Sequence, residues 1–399
     1  MLRRLLIAVA VVVLLLIAAV LAVNPVDRVF NRAVETPREV SASAQALHDS
    51  LWIADFHSDA LLWPRSFLDR HRYGLVDLPR LRDGHVALVV LAATTRMHAD
   101  SNYHRTAPLL DILPVVAIAS HWPRAAWFDP YQRALALARK ARIEAETSHG
   151  SFFLVRTRED LYGLVRATTP YVPEPDFPVP PSPIDAPVGA VLSIEGMHAI
   201  DGDLARVDSL FAAGYRIFGL THMFDNDIGG SASGWHKRGL TPLGRRVVAR
   251  IDALGGIIDL AHASRATIED VLAITSRPVL VSHTGLTSIC AGPRNLDDEL
   301  ARRIAQHGGM IAIGFWKAAV CGKDTRAIAR AIRHAIEVVG ADHIALGSDF
   351  DGGVPVPFDA ADMSMLTAAL LDAGLSRDQI RAVMGENEKR FLLANLPTH

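Results

Sequence analysis

From about residue 50 onward the chain alternates short apolar runs with longer stretches in which apolar residues recur every three or four positions. The runs cover residues 51–56, 86–92, 188–194, 215–221, 256–260, 278–282, 310–315 and 343–347. Each is rich in Val, Ile or Leu and is bounded by Gly, Pro or polar residues, as strands covered on both faces should be. Helical periodicity fills the spaces between them, over residues 205–213, 242–254, 267–275, 296–307 and 325–339, and several of these stretches stop at Gly. Eight strand–helix units in succession predict an α/β fold, a (β/α)8 TIM barrel. An open doubly wound sheet is the competing arrangement, and it suits five or six strands better than eight.

One interval is longer than the others. About ninety residues separate the second strand from the third, with helical patterns near 131–148 and 159–167 and a Pro-rich stretch from Tyr171 to Pro183 that suits neither a helix nor a central strand. It reads as an insertion over the barrel, at about 96–187, within one catalytic domain spanning 49–399. Residues 25–48 read as a linker and lead-in.

The first segment stands apart. After Arg3 and Arg4, residues 5–23 are apolar without charge, Gly or Pro, just long enough for a bilayer span of roughly 20 residues. Residues 1–24 are therefore expected to form a transmembrane anchor, with a cleaved signal peptide ending near Val20-Leu21-Ala22 as the alternative. Either way the large domain is expected outside the cytoplasm, periplasmic or extracellular, with the lipid bilayer as a partner in the anchored case and secretion in the cleaved one. Half of the residues are hydrophobic and the formal net charge is −2, with no basic tract, so nucleic acid is not expected as a partner. Two cysteines exclude a disulfide framework or a Cys-based zinc finger. Cys290 and Cys321 follow the sixth and seventh strands on one barrel face, and the sequence leaves open whether they are bridged or free.

TIM barrels gather their catalytic side chains at the C-terminal ends of the strands. Here six of eight runs end in His, Asp or Glu: Asp55, His57 and Asp59; Glu195 and His198; His222; His262; His283; and Asp349 with Asp351. His57 and Asp59 share one face of a strand, because side-chain direction repeats every two residues. Three imidazoles (His57, His262, His283) and two carboxylates (Asp59, Glu195) suit Zn²⁺, and five ligands exceed the needs of one tetrahedral ion. A carboxylate such as Glu195 can bridge two ions about 3.5–4 Å apart.

These residues lie in motifs that resemble the membrane (renal-type) dipeptidases, the M19 metallopeptidases of the amidohydrolase superfamily. The motifs are D-F-H-S-D at 55–59, I-E-G-M-H at 194–198, L-T-H-M-F-D-N at 220–226, I-D-L-A-H at 258–262 and P-V-L-V-S-H-T at 278–284. Arg294-Asn295, G-S-D-F-D-G at 347–352 and G-E-N-E-K-R at 385–390 complete the set. The resemblance runs from about Leu51 to Phe391. It implies a zinc-dependent dipeptidase with two Zn²⁺ ions per chain, one on His57 and Asp59, the other on His262 and His283, bridged by Glu195. It further implies that His222 steadies the substrate carbonyl, that Arg294 pairs with the free carboxylate, and that Asp349 is the acid/base, with Asp351 the weaker candidate. Dipeptides, L,L and L,D, are the implied substrates, and a homodimer the implied assembly. A binuclear amidohydrolase acting on a lactam or an N-acyl amino acid is the alternative. One departure is plain. The seventh-strand segment that carries a carboxylate-binding tyrosine in renal-type members reads Gly314-Phe-Trp-Lys-Ala-Ala-Val-Cys321 here, leaving Trp316 or Lys317 on that ground.

Overall fold

The computed structural model describes residues 2–107, 109–168 and 186–398. All eight expected strands form: β1 (Ile53–Ser58), β2 (Val86–Thr94), β4 (Val188–Glu195), β5 (Tyr215–Gly219), β6 (Ile257–Asp259), β7 (Leu280–Thr284), β8 (Met310–Ile313) and β9 (Ile344–Leu346). They pair in parallel in that order, and a bridge between Ser58 and Phe350 brings the last strand back against the first. Asp55 reinforces that seam by accepting from both the backbone N–H and the hydroxyl of Ser348. The result is a near-closed eight-stranded parallel barrel in which nearly every strand residue is buried, and this is why the runs are apolar on both faces.

A further strand, β3 (Phe152–Leu154), was not apparent in the sequence. It pairs with the first residues of β4, whose later residues pair with β5. Three residues between two helices carry too little periodicity to be read as a strand. The helices Ala205–Ala213, Pro242–Leu254 and Thr325–Val339 match the expected spans, and those at Arg265–Ile274 and Asp298–Gln306 shift by about two residues. The shifts follow the caps: Ser264 and Asp297 accept from backbone N–H groups three residues on, fixing where each helix begins. The inserted helices form at Pro130–Thr147 and Arg158–Thr168. The Pro-rich stretch lies outside the described residues.

The N-terminal segment departs from expectation. A helix runs from Leu2 to Phe30, through Pro25 and into the segment read as a linker. Among the described residues no helix is long and apolar enough to cross a membrane. The physical reason lies in the last three turns. From Ala19 onward the helix lies along the barrel mouth, with Val23 and Asp27 buried. Residues 5–18 alone would reach about 21 Å at 1.5 Å per residue, short of the roughly 30 Å apolar thickness of a bilayer. A buried ion cluster fixes this docking: Arg65 reaches Asp27 at 2.8 Å and Asp351 at 2.7 Å. Asn31 donates to Asp27 and accepts from the N–H of Gly353, and Val34 donates to the carbonyl of Val356.

Cys290 and Cys321 are joined in a disulfide with Cα atoms 5.1 Å apart. Asn295 laces the same two loops, donating to the carbonyls of Cys290 and Ala318 and accepting from the N–H of Gly285. The bridge closes a loop of 31 residues. Loops of that length are typically stabilised by about 2–4 kcal/mol. Urea unfolding of the oxidised protein and of Cys321→Ser should differ by that amount. Two titratable thiols in the unreduced, unfolded protein would contradict the bridge.

Candidate metal centre

The six polar strand ends do converge. His57 and His283 sit on β1 and β7, Glu195 is the last residue of β4, and Asp59 opens a short helical turn after β1. His222, His262 and Asp349 follow β5, β6 and β9 by three residues each. His262 and Asp349 adopt left-handed backbone, with φ near +62° for both. Such a conformation is uncommon for residues other than Gly, and it turns each side chain back over the barrel axis. Gly352 leaves room for the Asp349 carboxylate, since a Cβ there would stand 2.0 Å from Asp349 Oδ1 and force it to move.

The contacts centre on Glu195. Its Oε1 lies 3.0 Å from His262 Nε2, 3.6 Å from His57 Nε2 and 3.6 Å from His283 Nε2. Its Oε2 lies 3.5 Å from His222 Nε2. His57 Nε2 also stands 3.4 Å from Asp59 Oδ2 and 4.0 Å from Asp349 Oδ1. His262 and His283 face each other Nε2 to Nε2 at 2.9 Å. Glu195 stands in two groups whose ligand atoms all lie close together, one with His57 and His283, the other with His222 and His262; Asp59 and Asp349 group with His57. This grouping differs from the pairing that the family resemblance implies, and it brings His222 within reach of the same carboxylate.

Surrounding groups orient these side chains. Ser282 Oγ donates to Asp259 and lies 3.0 Å from His283 Nδ1, and Asp259 is held by the N–H groups of Ala261 and Ser282. His222 Nδ1 faces the carbonyl of Arg96 at 3.3 Å, which leaves Nε2 for the cluster. Thr94, the last residue of β2, lies 2.9 Å from Asp59 Oδ1 and 2.7 Å from Glu195 Oε2. Sequence reasoning missed it, because an uncharged hydroxyl at a strand end carries no metal signal. A single hydroxyl proton cannot serve both carboxylates.

Electrostatics point the same way. His57 is shifted up to about 10: burial opposes its charge, but Glu195, Asp59 and Asp349 outweigh burial. Glu195 is held well below the usual carboxylate range, since His222, His57 and His262 overcome its burial. Asp59 and Asp349 are pushed up, first by burial; repulsion from Glu195 adds to it at Asp59, and repulsion from Asp59 and then Glu195 at Asp349, against the pull of His57. Burial likewise lowers His262 and His283. His57 Nε2 is buried with no hydrogen-bond partner. Buried carboxylates crowded together with facing imidazole nitrogens need cations between them, and these residues fit a divalent metal centre.

The cluster forms the floor of a cavity of about 640 Å³. Arg294, Trp316 and Tyr103 share its wall with Asp349. Arg294 is buried and donates to the carbonyl of His283 at 2.7 Å, while its Nε has no partner. Of the two residues expected on the ground of the missing tyrosine, Trp316 lines the cavity, whereas Lys317 is exposed. Tyr103, from the insertion, was not singled out in the sequence because no motif contains it. Burial and the charge of Asp349 push its hydroxyl above the usual range, with Arg294 opposing. Asp351 spends both carboxylate oxygens elsewhere, on Arg65 and the N–H of Leu75. His198 lies 2.9 Å from Thr95 Oγ1.

Comparison with known proteins agrees with this geometry. Residues 184–394 match the sequence pattern of the membrane dipeptidases, peptidase family M19. An uncharacterized dipeptidase of Schizosaccharomyces pombe is 32% identical over 216 residues, 51% of this chain and about half, 52%, of that protein's length. Dipeptidase aclJ of Aspergillus oryzae is 27% identical over 371 residues, 85% of this chain and 77% of that one. The fold matches that of a metallopeptidase from Rhodobacter sphaeroides bound to a phosphinate mimic of L-Ala-D-Ala, with a TM-score of 0.68 at 22% identity, covering 87% of this chain and 99% of that one. The probable dipeptidase PvdM from Pseudomonas aeruginosa gives a TM-score of 0.71 at 19% identity, covering 89% and 97%. With its barrel, its polar strand ends and a sequence match over more than half its length, the chain belongs to the membrane dipeptidase family, peptidase family M19.

Proposed function

We propose that the chain hydrolyses dipeptides with two zinc ions, one held by His57 and Asp59, the other by His262 and His283, with Glu195 between them. The observation that carries this reading is the position of Glu195, whose two oxygens face four imidazoles from different strands. Two divalent cations there would polarise a peptide carbonyl and lower the pKa of a water toward neutrality. The chain supplies the rest. His222 Nε2 faces the cluster and steadies the carbonyl oxygen. Asp349, on the cavity wall, takes the proton of the attacking water and returns it to the departing amine nitrogen. Arg294, with an unpartnered buried Nε, binds the substrate carboxylate, and the hydroxyl of Tyr103 takes the place of the tyrosine absent from the seventh-strand segment.

We also propose that the domain works outside the cytoplasm, in keeping with its disulfide. The N-terminal helix would attach it to a bilayer through outward-facing apolar residues such as Leu14 and Leu21.

Removing the metal with a chelator should abolish dipeptide hydrolysis, and added Zn²⁺ should restore it. Glu195→Ala should not recover activity with Zn²⁺. Full activity in the chelated protein or in this variant would defeat the proposal.

Holding the dipeptide by its two ends leaves the second side chain free in either configuration. Cleavage of L-Ala-D-Ala is therefore expected within about tenfold of L-Ala-L-Ala in kcat/KM, or about 1.4 kcal/mol. Arg294→Met should lower both by roughly tenfold to a hundredfold, since a hydrogen bond to a charged group is worth about 1.5–3 kcal/mol. Tyr103→Phe should lower both less. Steady-state kinetics on the two dipeptides decide this: an inert D-containing substrate, or a variant that harms one substrate alone, contradicts the two-ended account.

A further inference from the structure

The floor of the cavity is polar, but much of its wall is not, and part of that wall comes from an unexpected place. Ala19, Ala22, Val23 and Val26 of the N-terminal helix line the same cavity as His222, Arg294 and Asp349. Beside them stand Leu113 and Val116, on the helix Leu113–Ala119 that packs against the N-terminal one. The metal cluster and Arg294 account for the amine, carbonyl and carboxylate of a dipeptide. What remains for the apolar wall to meet is a side chain.

We infer that the N-terminal helix is a specificity wall of the active site, selecting dipeptides with bulky apolar side chains. This rests on the dipeptidase reading of the same site. Two features make the helix a fixed wall. Asp27 is fully buried and paired with Arg65, which also holds Asp351, two residues beyond Asp349. The backbone beyond the helix is tied to the same loop, through Asn31 to Gly353 and Val34 to Val356. Ala19 and Ala22 are small, so the wall leaves space where a leucine or phenylalanine side chain can lie against Val23 and Leu113. Burying that extra apolar surface favours the larger substrate, whereas an alanine side chain reaches little of it.

The test compares kcat/KM for L-Leu-L-Leu and L-Ala-L-Ala in the full-length, metal-loaded protein. The wild type is expected to prefer the leucyl substrate by at least about tenfold. Ala22→Trp fills the space and should lower that ratio by at least about fivefold. Val26→Asp places a charge on the wall at a position already 42% exposed, where folding tolerates it, and should lower the ratio equally. Leu21→Trp, at an outward position 71% exposed, should leave the ratio unchanged. Metal content, measured in each variant, reports on folding; if Ala22→Trp loses its metal, Val26→Asp decides. A smaller change in the ratio, or one shared by Leu21→Trp, overturns the specificity wall. A wild type that binds metal and cleaves neither dipeptide instead overturns the dipeptidase reading beneath it.

Discussion

Four buried imidazoles press onto one carboxylate, Glu195, and the barrel is built to keep them there. Its two oxygens meet four imidazoles, while Thr94 stands between it and Asp59. The protein's own charges do not balance this arrangement: Glu195 is forced to keep its charge while Asp59 and Asp349 are forced toward losing theirs. Cations between the groups would relieve both demands at once, and burial makes that relief large. The surrounding structure is consistent with this demand. Ser282 and Asp259 hold the His283 ring, the carbonyl of Arg96 faces Nδ1 of His222, and left-handed backbone turns His262 and Asp349 inward.

Much of this was legible in the chain. The barrel strands could be read because each is covered on both faces and must be apolar along its whole length. The converging side chains could be read because ionisable residues end those apolar runs, where burial makes them costly without a purpose. Asp349 and Asp351 are instructive together: two residues apart, they end in different surroundings, one on the cavity wall and one clamped by Arg65. Only the packing of distant segments separates them.

What escaped the sequence depended on long-range contact. Asp27 and Arg65 are 38 residues apart and each reads as an ordinary surface charge, so nothing signalled that the N-terminal helix is locked onto the barrel mouth. Tyr103 sits in an insertion without a motif, and its place in the cavity follows from how that insertion folds. The disulfide depended on whether two loops bring their Cα atoms close enough, and they do so at 5.1 Å. In the same way, no motif signalled that His222 approaches Oε2 of Glu195 while His57 approaches Oε1.

The proposed centre has Glu195 standing between two metal ions at the barrel mouth. Anomalous diffraction from crystals of the metal-loaded protein, collected on either side of the zinc absorption edge, tests it most directly. Two peaks flanking Glu195 are expected, one against His57 and Asp59 and the other against His262 and His283, separated by about 3.5–4 Å. A single peak, or a pair with Glu195 outside it, would contradict it.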